Sequence, residues 1–171
     1  MARNLNISTK NNLPAELIVA ELVRSVCEKY TIPTFTSEIT IESGTRPHSH
    51  PVLTLNTRDP HELVVLKTLV HEQFHWYAQD HPNLNQVIEH LKTKYSDDGE
   101  HNKSGSYPDS YWEHIIVCFN TRKYLLETIS AQDVEWIYNQ WQAYPTLEKL
   151  IAEQYETFEN ELKQFDLIYK R

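Results

Sequence analysis

Glycine is scarce in this chain, three residues of 171. So few glycines, together with long periodic apolar runs, point to a mainly helical domain with short strands. Cysteine is scarce too, with Cys27 and Cys118 alone. They stand too far apart for a C-x-x-C metal knuckle, and each falls among apolar residues of an expected helix. They read as two buried free thiols. No apolar run approaches the ~20 residues of a membrane span. The N-terminal "MARNLNISTKNNLPAE" lacks the apolar stretch of a signal peptide, so a cytoplasmic location is expected. Basic residues are outnumbered, 16 Lys and Arg against 24 Asp and Glu, for a net charge of -8. That balance argues against nucleic acid or an anionic membrane as the main partner.

What is present organises into one domain over residues 1–171, with an α+β, mainly helical pattern. Residues 1–12 are polar and rich in Asn and read as a loose N-terminal arm. Pro14 opens a helix to about 30, with Leu17, Ala20, Leu22 or Val23, and Val26 on its apolar side. "TFTSEITIES" alternates and is β-branched, which predicts a strand over about 34–42. "GTRPHSHP" is a turn, and "VLTLN" (52–56) a second strand at a sheet edge, because prolines flank it. Asp59 caps a helix over about 60–79, with Pro60 at its first position, Glu62 three residues after the cap, and Leu63, Leu66, Val70, Phe74 and Tyr77 as core stripe. Further helices are expected from Pro82 to 95, from about 109, from Ser130 to 144, and from 146 to 168. The count is about six helices beside a short sheet.

The second of these helices carries "LVHEQFHW", residues 69–76. His71 and His75, four apart, lie on one helical face and can aim imidazole nitrogens at one point. Glu72 is turned about 100° from His71, within reach of a water on a metal there but not a ligand itself. This H-E-x-x-H spacing places two Zn2+ ligands and one general base on a single rigid element. A catalytic zinc needs a third protein ligand. Glu113 and His114 open a helix that continues "IIVCF". A polar side chain at the start of so apolar a run is expensive unless it has a partner. His114 is the favoured third ligand and Glu113 the alternative; Glu113 could instead orient a histidine. His81, His90, His101 and the pair His48 and His50 are weaker candidates. Tyr107 and Tyr111, just before His114, are candidate oxyanion donors, with Ser110 beside His114.

Through His71, Glu72 and His75, with "LKTLV" and a strand before them, the chain resembles the zincin superfamily of metallopeptidases. A later Ser110, His114 and Val117 is similar to the "S-x-x-x-H-x-x-V" helix of small bacterial zincin-like proteins. The likeness covers about residues 34–120. It implies a strand–helix scaffold in which residues 52–56 form an edge strand that pairs with an extended peptide. The metzincin extension is missing: position 78 is Ala, and the only methionine is Met1, so no methionine turn exists. The second helix of thermolysin-like enzymes is not matched either, since Val117 follows Glu113 by four.

The expected function is therefore zinc-dependent hydrolysis of a peptide or protein substrate, with Glu72 as general base. The alternative is a non-catalytic helical binding protein or metal-bound regulator with a vestigial motif. In that case Trp136, Trp141 and Tyr144 would form a partner surface or simply pack in the core.

Overall fold

A computed structural model describes residues 5–95, 109–140 and 144–171. The architecture is α+β and mainly helical. Its elements run β1 (Asn6–Thr9), α1 (Pro14–Lys29), β2 (Glu38–Ile41), β3 (Leu53–Leu55), α2 (Glu62–Gln79), α3 (Leu84–Tyr95), α4 (Asp109–Thr128), α5 (Ala131–Gln140), α6 (Pro145–Glu153) and α7 (Tyr155–Gln164). Seven helices thus stand among the described residues where about six were expected. The extra one arises because the run after Pro145 breaks at Gln154, which leaves helical backbone geometry and starts α7. No Pro or Gly marks that break. It lets Leu147 and Ile151 on α6 and Phe158 and Leu162 on α7 all reach the core. No described helix is long and apolar enough to cross a membrane.

The sheet is parallel in the order β1-β2-β3. Residues 6–9 are therefore not part of a loose arm. Ile7 pairs with Ile39 in register, and Asn6 donates its backbone N–H to the Ser37 carbonyl at 2.8 Å. Only one of the four residues is strongly apolar, so β1 gives a weak sequence signal; it forms because β2 offers a template. Glu16 secures this corner. Its buried carboxylate accepts the backbone N–H groups of Asn11, Leu13 and Ser43 at 2.8, 3.2 and 3.0 Å. The buried face of α1 is Val19, Ala20, Val23 and Val26, while Leu17 is exposed rather than part of the stripe.

β3 takes the expected edge position, but its outer side is not open throughout. Thr54 exchanges both backbone hydrogen bonds with His48, at 2.7 and 3.0 Å, on the side away from β2. The turn before β3 thus folds back along the edge. Trp76 holds it there by donating its indole N–H to the Ser49 carbonyl at 2.9 Å, and the His50 ring stacks on Trp76.

α2 starts later than expected. His61, not Asp59, caps it by accepting the Leu63 N–H, and Glu62 pairs instead with Lys29 at the end of α1 and with Tyr30 just after it. The helix is more than amphipathic: every residue from Val64 to His75 is buried. It packs on α1, β3, α4 and α5, and so forms the axis of the core. Lys67, Thr68, Gln73 and His75 survive there because each has a partner. Gln73 accepts the N–H groups of Phe35 and Thr36 and donates to the Thr36 carbonyl, docking the segment before β2. Lys67 Nζ lies 2.9 Å from Glu148 Oε1 on α6 and 3.9 Å from the centre of the Tyr138 ring.

Candidate metal centre

The buried helix α2 presents His71 and His75 toward the start of α4, where His114 stands. The ligand atoms of the three histidines all lie within 4.8 Å of one another. Their ring centroids are 5.1 Å (His71–His75), 4.7 Å (His75–His114) and 6.0 Å (His71–His114) apart. Nitrogens held by one tetrahedral zinc at about 2.0–2.1 Å stand about 3.4 Å from each other, so side-chain rotations that close the cluster by about an ångström would complete the set. The two helices that carry these residues pack directly on each other. The third histidine, remote in sequence, is therefore brought in by core packing and not by a motif.

Hydrogen bonds fix the rings. His75 Nδ1 lies 3.0 Å from Glu113 Oε1, and the same oxygen accepts from Gln79 Nε2 at 3.1 Å. His114 Nδ1 contacts the Ser110 carbonyl oxygen, one turn earlier on α4. Donation from both Nδ1 atoms leaves Nε2 of each ring free to ligate, the usual way in which an outer partner orients a metal-binding imidazole. Glu113 thus stands outside the cluster and is placed to orient His75. Ser110 acts through its backbone rather than its hydroxyl.

The electrostatics suit a cation. Burial, reinforced by His75, His114 and Lys67, holds His71 well below the ordinary histidine value. Burial lowers His114 too, helped by His75 and opposed by the Ser110 carbonyl and Glu113. Both are neutral near pH 7, the form that ligates a metal. Burial also raises Glu113, but its hydrogen bonds from His75 and Gln79 outweigh that and keep it an anion. Burial pushes Glu72 up to about 7, against the pull of His75 and His48. A carboxylate balanced there can both take and give a proton at neutral pH.

These residues open onto a cavity of about 530 Å³, lined by His71, Glu72, His75 and His114 on one side. Arg46, Pro47, His48, Ser49, Asn56 and Arg58 line the side toward the sheet edge. Tyr144 completes the lining; its ring centroid lies 4.2 Å from that of His114 and 6.0 Å from that of His71.

Of the two tyrosines suggested by sequence, Tyr111 packs against Trp112 and the core and does not line the cavity. Tyr107 lies outside the described residues. Tyr144 is neither a core residue nor remote from the site, and sequence reasoning missed this placement. Its only signal was position, just before Pro145 at a helix start. His48 lines the sheet side of the cavity but is not in the three-histidine cluster, while His90 engages Glu161, His81 the Asn83 N–H, and His50 stacks on Trp76. His101 and Trp141 are outside the described residues. Trp136 is partly exposed and packs against His61. Both cysteines are free thiols, Cys118 buried and Cys27 partly so. Comparisons with family models, curated proteins and solved structures find no match to this chain.

Proposed function

We propose that this chain is a zinc-dependent peptidase of zincin type that hydrolyses peptide bonds at the three-histidine cluster. The observation that carries the reading is the convergence of His71, His75 and His114 beside Glu72 in one cavity. Three imidazoles with an open side are the donor set of a catalytic zinc and do not suit Mg2+ or Ca2+, which take oxygen ligands.

His71, His75 and His114 would hold the ion, with Glu113 and the Ser110 carbonyl orienting two of the rings. The ion, when bound, supplies a Lewis acid for the scissile carbonyl and makes water a better nucleophile at neutral pH. Glu72 removes a proton from the attacking water onto its carboxylate. It then delivers that proton to the departing amine nitrogen, so the carbon–nitrogen bond breaks without releasing an amide anion. Tyr144 is held up to about 12, chiefly by burial and also by Cys118 and nearby carboxylates. It therefore keeps its proton at neutral pH. Its hydroxyl can donate to the carbonyl oxygen as negative charge develops there.

The test is peptide-library cleavage by zinc-loaded wild type and Glu72→Gln. Loss of the base should lower kcat roughly 10²- to 10⁴-fold with zinc content unchanged. Equal cleavage by the two proteins would remove Glu72 from the mechanism.

A further inference from the structure

The sheet side of the cavity is chemically unlike the rest of the chain. Acidic residues outnumber basic ones 24 to 16 overall. Yet among the described residues that line the cavity the only acid is Glu72, which is buried beside the imidazoles, while Arg46 and Arg58 both contribute. These two arginines flank β3, one on the turn before it and one on the turn after it. Both are exposed. Neither guanidinium is in an ion pair among the described residues, whereas Arg24 pairs with Glu21 and Arg122 with Glu135.

The backbone beneath them is fixed. The turn bearing Arg46 is held to β3 by the His48–Thr54 pair and to α2 by Trp76. His48 Nδ1 lies 2.9 Å from the Arg46 carbonyl oxygen. On the other turn, the Arg58 N–H donates to Asn56 Oδ1 at 3.3 Å. Each guanidinium, on a braced turn at the cavity and in no ion pair among the described residues, offers the planar donor pair that suits a carboxylate. They also set two cationic groups at the cavity of a molecule whose net charge is -8, a local attraction for an anionic ligand.

We infer that Arg46 and Arg58 select peptides that place a carboxylate in the cavity beside the three-histidine cluster. The inference rests on the peptidase reading for its ligand class, a peptide. It adds the group recognised, which is either an acidic side chain or a free C-terminus. A cavity of about 530 Å³ accepts a short peptide segment and not a folded partner.

Binding is measured by calorimetry on zinc-loaded Glu72→Gln, so that no turnover is required. Three short peptides are compared: a capped peptide with one Asp, its capped Asn twin, and the Asn peptide with a free C-terminal carboxylate. At least one carboxylate peptide should bind about 10-fold or more tightly than the capped Asn peptide, the size expected of a charge-assisted hydrogen bond. Which one does so identifies the source of the carboxylate. The advantage should fall toward one in Arg46→Ala and Arg58→Ala, both at exposed positions where the fold tolerates change. Equal binding of all three peptides, no measurable binding of any at millimolar concentration, or an advantage that survives both substitutions overturns the inference. Cleavage of all three by wild type with no preference would remove it and leave the peptidase reading standing. A carboxylate preference with no cleavage by wild type would do the reverse.

Discussion

At the scale of single residues, the site is a matter of which nitrogen faces inward. Glu113 and the Ser110 carbonyl each engage an Nδ1 atom, and so leave Nε2 of His75 and His114 as the nitrogen available to a metal. Removing the charge of Glu113 should loosen His75 without deleting a ligand. In Glu113→Gln, zinc affinity measured against a competing chelator should fall roughly 10- to 100-fold. Unchanged affinity would show that the Glu113–His75 contact does not tune the site. His71, Glu72 and His75 were legible in the sequence because helical periodicity alone sets their relation. His114 was legible only through the cost of a polar residue heading an apolar helix, and Glu113 competed with it on the same ground. Tyr144, Arg46 and Arg58 carried no such signal. Each reaches the cavity through a turn whose path is decided by tertiary packing.

At the scale of elements, α2 carries both the chemistry and the core. Its sequence announced an amphipathic helix, and the burial of the whole run from Val64 to His75 was not legible. Lys67 and Gln73 look like a solvent face until their partners on other segments are known. The Lys67–Glu148 pair joins α2 to α6 one turn from His71. Burial lowers Lys67, and Glu148 opposes that shift. The pair therefore gives little net stability, but losing one member leaves a charge in the interior. Glu148→Ala should destabilise the fold by about 3 to 5 kcal/mol, whereas Lys67→Met with Glu148→Leu should be close to neutral. Urea unfolding of the three proteins decides this; a mild Glu148→Ala would mean that Lys67 escapes to water.

At the scale of the whole molecule, the fold joins a parallel sheet to a helical body through contacts distant in sequence. Glu16 is one such joint, linking the segment after β1, the start of α1 and the turn after β2. Burial alone would raise its pKa, but the N–H groups of Ser43, Asn11 and Leu13 outweigh burial and pull it from 4.5 to about 2. A carboxylate held below its unfolded value stabilises the fold above that value and loses this contribution as it protonates. The stability gap between wild type and Glu16→Gln should therefore be full above pH 4.5 and close as pH falls toward 2. A gap independent of pH would contradict it. The mainly helical α+β class was readable from glycine scarcity and periodicity. Strand β1 was not, because a four-residue polar strand exists only against its neighbour. The central claim, a zinc site built from His71, His75 and His114, is tested most directly by elemental analysis of purified wild type, His71→Ala, His114→Ala and Glu113→Ala. About one zinc per chain in wild type, lost in both histidine variants and present in Glu113→Ala when zinc is in excess, is the predicted result. No zinc in wild type after zinc is added back, or a full complement in His114→Ala, would contradict it.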